Sequence, residues 1–339
     1  MIRKKEHSLL EKANPKSSIF PVAPFRRSRI ARDMALIGAC FVLMALWIPL
    51  HWVIDFTIFC ILVLSFDLLY GFMGRLSFGH VLYYGTGAYV ASLVLLHISP
   101  NPFLAIAAGV AAGAILAAVV GFIVLQTDGA PFALINLAFN QIGFWLVASG
   151  LQRYTRGEDG LNTTAGAVGF LNFANPPVAF GFFLICLLLV FLLLKIFTLS
   201  PYGVTIRSIK ENDERVKFLG YNTFYYKWLT FLLSSTLAAL PGALFAIFYG
   251  FVAPTIISPF GNVEVIFAVL IGGAGNLYGA IAGGVVYKLM SNYLATNINR
   301  WEMLLGILLL IWVFKFRRGL TGYAAELILR FKRKQAVEV

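Results

Sequence analysis

Apolar residues run through this chain in long unbroken blocks, separated by short polar or glycine-rich stretches. The blocks fall at 34–50, 54–72, 77–97, 103–125, 131–150, 178–198, 228–252, 263–275, 277–296 and 302–317. Most reach or approach the ~20 residues that a bilayer-spanning helix needs. They are continuous and do not alternate with period two, which excludes a transmembrane β-barrel. The reading is an all-α, polytopic transmembrane helical bundle of about eight to ten spans with discontinuous glycine-rich segments. Block 77–97 is rich in glycine and block 263–275 is short, so either is a candidate re-entrant segment.

One stretch breaks the pattern. Residues 200–227 form a dense island of charge: Arg207, Lys210, Glu211, Asp213, Glu214, Arg215 and Lys217 fall close together, with apolar blocks on either side. Ser200-Pro201 and Gly203 are expected to break the preceding helix. Ile206, Ile209, Val216 and Leu219 then recur at roughly helical spacing, and Gly220 is a natural stop. The pattern predicts a short amphipathic helix on the membrane surface, with one face free to dock a soluble partner. A solvated loop that only sets topology is the plainer alternative.

Charge placement orients the chain. With the N-terminus inside, cytoplasmic segments hold nine Lys or Arg in 1–33, Arg75, six from Lys195 to Lys227 and seven from Lys315 to Lys334; external loops hold only Arg153, Arg156 and Arg300. Basic residues concentrate in cytoplasmic loops. Residues 1–33 therefore read as a basic cytoplasmic tail, 34–323 as the membrane domain and 324–339 as a second basic tail, with the 200–227 island inside the cell. The net charge of +12 is explained by this bias, so no nucleic-acid partner is inferred; membrane lipid is. Hydrophobic residues make up 60% of the chain and charged residues 12%, against about 25% charge in soluble domains. Cys40, Cys60 and Cys186 each lie in an apolar block, without the spacing of a disulfide framework or zinc site.

No phosphate-binding loop is present: Gly272-Gly273-Ala274-Gly275 lacks the following lysine. The expectation is a chain that is no enzyme and binds no cofactor, any ATP and Mg²⁺ belonging to partner subunits. Glycine-rich breaks at 71–87 and 272–279 interrupt the blocks. Backbone freed from helical bonds is tolerated at membrane depth only against protein or a watery cavity, and transporters place such backbone against their substrate. Gly74, Ser77, Gly79, His80, Gly272, Gly273 and Gly275 are therefore candidate pathway or gate residues. Close helix packing is the alternative, preferred for Gly109/Gly113; Gly279/Gly283 shares that small-xxx-small spacing. His80 reads more readily as a packing residue than as a proton relay. Asp55, Asp67, Glu264 and Lys288 are ionisable groups within or beside spans, each a functional candidate. Asp55 and Glu264 lie near span ends, and Lys288 has the length to snorkel. Asp67 either lines an aqueous path or pairs with Arg75.

Several segments resemble, in order, the permease subunits of branched-chain amino-acid ABC importers, specifically the LivM type. They are Leu69-Tyr-Gly71-Phe-Met-Gly74-Arg-Leu76-Ser77-Phe-Gly79-His80 with Gly85-Thr-Gly87-Ala88-Tyr89, Leu137-Ala138-Phe139, Gly157-Glu-Asp159-Gly160-Leu161, Gly203 to Arg215 with Gly220 and Lys227, Gly272 to Gly279, and Arg318-Gly319-Leu320. The resemblance implies a prokaryotic inner-membrane subunit paired with a second homologous permease. An extracytoplasmic solute-binding protein would feed it, and cytoplasmic ATPases would dock on Arg207, Ser208, Lys210, Glu211, Asn212, Glu214, Arg215 and Gly220. The sequence departs from that pattern at Asp67, where the family usually has a neutral residue, at Ser208, and at Tyr83 and Tyr84. The extra carboxylate leaves the solute open. An ion-coupled secondary transporter and a non-transporting membrane scaffold are the rival readings.

Overall fold

Each of the ten apolar blocks forms a helix. They are α1 (Arg27–Trp47), α2 (Leu50–Asp67, continued by a π-helical turn Leu68–Phe72), α3 (His80–His97), α4 (Pro102–Val124), α5 (Ala130–Trp145, continued by a π-helical turn Leu146–Gly150) and α6 (Pro176–Leu199). Two short helices follow, α7 (Pro201–Glu211) and α8 (Asp213–Phe218), and then α9 (Thr223–Tyr249), α10 (Pro259–Gly272), α11 (Leu277–Asn297) and α12 (Trp301–Lys315). This architecture comes from a computed structural model that describes residues 27–167, 172–173, 175–298, 300–315 and 319–323. The expected tails at 1–33 and 324–339 lie mostly outside the described residues, but Arg27–Asp33 already belong to α1.

Starts of helices follow local chemistry. Asn101, Asn222 and Asn276 accept a backbone N–H of the first turn of α4, α9 and α11, satisfying donors that have no partner within the helix. Pro102, Pro176 and Pro259 sit in first turns, where a missing N–H costs nothing.

Six described helices are long and apolar enough to cross a bilayer on their own: α1, α2, α4, α5, α6 and α9. Helices α10 and α11 qualify only as a pair bent by 120°, the broken geometry anticipated for block 263–275. Helix α3 falls short in apolarity and α12 in length; both complete the bundle.

Helix α2 is the mast: 89% of its span is buried, against 6% for α1. Helix α9 lies against it and against α3 and α4 at close range. A Cβ on Gly242 would strike the Tyr84 carbonyl, one on Gly87 the Ala239 carbonyl, and one on Gly113 the Ala239 side chain. Helices in lipid gain little from hydrophobic burial against each other, so close backbone approach supplies the packing energy. The packing role expected for Gly109/Gly113 is therefore observed, with Gly109 against Gly87, and Gly283 likewise packs against Gly272.

The loops sort to two ends. At one, strand β1 (Leu161–Asn162) pairs antiparallel with β2 (Phe251–Val252), Thr163 N donates to Gly250 O at 2.7 Å and Gly166 N to Pro100 O at 2.8 Å. At the other, segments 73–76, 125–129, 200–222 and 273–276 meet. The charge count reads the first group as external and the second as cytoplasmic.

A candidate coupling and gating site

The charged island is two helices, where the sequence pattern predicts one. Ser200 caps α7, its hydroxyl accepting from Gly203 N at 3.3 Å, and Pro201 takes the first helical position. Gly203 does not break the helix. It lies inside α7, where a Cβ would sit 2.6 Å from the carbonyls of Phe197 and Thr198. The break falls at Asn212, whose extended backbone ends α7 and whose side chain caps α8 by accepting from Arg215 N at 2.9 Å. Asp213 and Glu214 then occupy the first turn of α8, where negative charge is favoured. Gly220 stops the segment at φ +86°, as expected.

Ile206, Ile209 and Val216 anchor this pair by burial. Leu219, expected on the same buried face, is instead 70% exposed, and its neighbour Phe218 is 90% exposed. The early end of α7 rotates the later residues outward. Glu211, Asn212, Glu214 and Arg215 are exposed around them, while Ser208 bonds back to Val204 O within its helix.

From the inner side of α7, Lys210 Nζ donates to the carbonyl of Gly71 at 2.6 Å, and the Arg207 guanidinium lies 4.9 Å from the Phe72 ring centroid. Gly71 belongs to the π-helical turn that ends α2. The chain leaves the helix at Met73, so no later amide of the helix reaches that carbonyl. Gly74, at φ +76°, leaves space for the Lys210 stem; a Cβ would approach its Cγ to 2.7 Å. On the other side of the same turn, Gly275 N donates to Asp67 Oδ1 at 2.8 Å. Asp67 is fully buried, and its Oδ2 has no partner among the described residues. A Cβ on Gly71 would collide with the Asp67 carboxylate and the Gly275 backbone. Next to Gly275, the Gly272 carbonyl accepts from Thr321 Oγ1 at 2.9 Å, and Gly273 takes φ +102° against Gly319. The expected pathway residues Asp67, Gly74, Gly272, Gly273 and Gly275 thus gather around one knot that Lys210 and Arg207 touch from the surface.

The pairing of Asp67 with Arg75 does not occur. Leaving the helix at Met73 turns Arg75 away, and it forms an ion pair with Asp128 in the α4–α5 loop. Lys227 continues the network, 2.6 Å from Asp213 and 3.9 Å from Asp128, and Lys217 joins Asp213 at 3.0 Å. Partial burial pushes the Asp213 carboxyl up, but hydrogen bonds from Lys227, Lys217 and Thr223 outweigh it and hold it below the ordinary carboxylate range.

Ser77, Gly79 and His80 belong elsewhere, deeper in the bundle. Helix α3 begins beside Ser65, about two turns before the end of α2. Ser65 Oγ donates to Leu62 O at 2.6 Å and lies 2.9 Å from His80 Nε2. A hydroxyl has one proton, so the ring nitrogen is the donor in that contact. Edge-on contacts to Phe66 and Tyr83 complete the setting of a packing histidine. Around it are polar residues that a search for ionisable groups misses. Asn140 Nδ2 donates to Ile257 O at 2.9 Å, Asn262 Nδ2 to Asn140 Oδ1 at 3.4 Å, and Val81 N to Asn262 Oδ1 at 3.0 Å. The available signal was an amide recurring within an apolar block. Lys288 does not snorkel: its ammonium lies 3.3 Å from Asp55 and over the Phe59 ring at 4.7 Å.

The chain is 27% identical over 286 residues to the high-affinity branched-chain amino acid transport system permease protein LivM of Escherichia coli K12, an alignment covering 75% of this chain and 66% of that protein. The chain therefore spans just under two thirds of the length of that relative. It is 27% identical over 259 residues to LivH of the same organism, covering 70% of this chain and 83% of LivH. It is 22% identical over 286 residues to the permease protein BraD of Pseudomonas aeruginosa, covering 78% and 91%. No solved structure matches. The profile of the branched-chain amino acid transport system permease component matches residues 48–313, well over half of the sequence, and the chain belongs to that family of multi-pass membrane proteins.

Proposed function

We propose that this chain is the LivM-type permease subunit of an ATP-driven importer for branched-chain aliphatic amino acids, working in a prokaryotic inner membrane with both ends in the cytoplasm. A second homologous permease completes the membrane unit, and an external binding protein delivers the solute. Soluble ATPases, which supply the ATP and Mg²⁺ chemistry, dock on α7–α8.

The observation that carries this reading is the α7–α8 platform. Three buried aliphatic side chains fix it to the bundle, while Phe218 and Leu219 stand exposed among Glu211, Glu214 and Arg215. An exposed apolar pair rimmed by charge marks a surface made to be covered. Lys210 and Arg207 carry any movement of that platform to the π-helical turn of α2. A partner that shifts α7 therefore acts on the Asp67–Gly275 contact and on the α10–α11 bend.

Proteoliposomes holding the assembled complex should take up leucine only with ATP inside and regardless of ion gradients. Uptake that continues without ATP and collapses with an ionophore would overturn the reading in favour of an ion-coupled carrier. Glu211→Lys, Arg215→Glu and Phe218→Ala should insert normally yet lose the ATPase on co-purification.

A further inference from the structure

Helix α1 leaves an open seam beside the bundle. It packs against α6 and α2, yet only 6% of its span is buried, and between it and α11 runs a groove of about 380 Å³. Leu36, Cys40 and Met44 of α1 and Tyr278, Ala282 and Val286 of α11 line it at four-residue intervals, two stripes each about 12 Å long. The wall is apolar up to Tyr278, in the first turn of α11, and there charge begins. The Tyr278 hydroxyl donates to Asp33 Oδ2 at 2.5 Å and accepts from Lys195 Nζ at 2.9 Å, and the same ammonium lies over its ring at 4.4 Å. Among the described residues no carboxylate comes within ion-pair distance of Lys195, and Asp33 reaches it only through that hydroxyl. A like charge does reach it, the Arg207 guanidinium of α7. Arg207 rests on the Phe72 ring and also has no carboxylate partner among the described residues. Arg32, 70% exposed, lies 3.8 Å from Asp33. Three cations thus gather around one carboxylate, at the end of the groove that the charge count reads as cytoplasmic.

We propose that the α1–α11 groove and the cations at its end form a binding site for one anionic phospholipid of the cytoplasmic leaflet. An acyl chain lies in the groove, and the phosphate meets Lys195 and Arg207. Partly buried cations are costly without a counter-charge, and two that repel each other cost more. A phosphate supplies negative charge and several acceptors to both at once. Basic pockets between membrane helices on the cytoplasmic side hold anionic headgroups in this way. A free anion would leave the apolar groove uncovered. A zwitterionic lipid would bring a further cation to a cluster that already has an excess of them. Arg207 stands on α7, so the headgroup ties the coupling segment to the bilayer.

Native mass spectrometry of the full-length chain in detergent, titrated with dioleoyl phosphatidylglycerol, dioleoyl phosphatidylcholine or inorganic phosphate, tests the site. The wild type should hold phosphatidylglycerol about tenfold more tightly than phosphatidylcholine, the scale of two basic residues at an anionic headgroup, and inorganic phosphate should not displace it. Lys195→Met and Arg207→Gln should each weaken phosphatidylglycerol about fivefold, the share of one basic residue, and leave phosphatidylcholine unchanged. Ala282→Phe fills the groove and should weaken phosphatidylglycerol about tenfold, the scale of two displaced methylenes. If Arg207→Gln fails to fold, Lys195→Met and Ala282→Phe decide. Equal retention of the two lipids, displacement by inorganic phosphate, or variants that keep the wild-type preference would each overturn the lipid site. Loss of the lipid once the second permease is bound would give the groove to that subunit and overturn it too. The readout is binding and not transport, so its failure leaves the importer reading untouched.

Discussion

The ammonium of Lys210 donates to the carbonyl of Gly71 at 2.6 Å, joining a surface helix to a break in the most buried span of the bundle. Hydrogen bonds to charged groups contribute about 1.5–3 kcal/mol. Lys210→Met keeps the stem over Gly74 and removes the bond. ATPase co-purification should persist, since Glu211, Arg215 and Phe218 are untouched, while ATP-driven uptake should fall about tenfold, the equivalent of ~1.4 kcal/mol. Uptake equal to that of the wild type would show that the link carries no motion.

Asp67 works through one oxygen. Its Oδ1 accepts from Gly275 N, and an asparagine retains that acceptor. Asp67→Asn should leave the melting temperature of the detergent-solubilised protein close to the wild-type value. Asp67→Leu leaves a buried N–H without a partner and should cost about 1–3 kcal/mol, visible as a lower melting temperature. Equal melting of the two variants would exclude the Gly275 contact as the reason for the carboxylate.

Asp55 and Lys288 join α2 to α11 with side chains 18% and 19% exposed. Removing one partner leaves the other charge nearly buried, whereas removing both does not. Lys288→Met should destabilise by on the order of 2 kcal/mol, less than for a fully buried pair. The double variant Asp55→Leu/Lys288→Met should recover most of that loss. A thermal-melting double-mutant cycle with no coupling would contradict the pairing.

Asp213 gives a pH signature. Its carboxyl is held below the ordinary value by Lys227 and Lys217. A depressed folded-state pKa adds stability that is fully present above the unfolded value, about 3.9, and is lost as pH falls through the lower folded value. Wild type and Asp213→Asn should therefore differ by a constant margin in melting temperature from pH 5 to 8. The margin should shrink below about pH 4. A margin that instead varies between pH 6 and 8 would assign the stabilisation to another group.

The sequence by itself determined the helices, their number of blocks and their two-sided loop arrangement. Long apolar runs have one stable form in lipid, because every backbone group must be satisfied internally, and charge density sorts the loops without reference to packing. The island at 200–227 was legible for the same reason, as was the stop at Gly220. Its division at Asn212 was not, because the amphipathic period runs across a residue whose extended backbone interrupts it, and so Leu219 was placed on the wrong face.

Only the tertiary structure decided which residues meet. Asp67 and Gly275 are 208 positions apart, and Lys210 and Gly71 are 139; no local period connects them. One of the two sequence readings of Asp67 pairs it with Arg75, because a continued helix would align the two. The chain leaves the helix at Met73 and sends Arg75 to Asp128 instead. The asparagines of α5 and Asn262 give little signal in the sequence, since an uncharged amide carries little penalty in an apolar block. Asn140 and Asn262 meet only across the fold, where irregular backbone approaches them, and that approach depends on glycines packing span against span over distances that hydropathy does not encode.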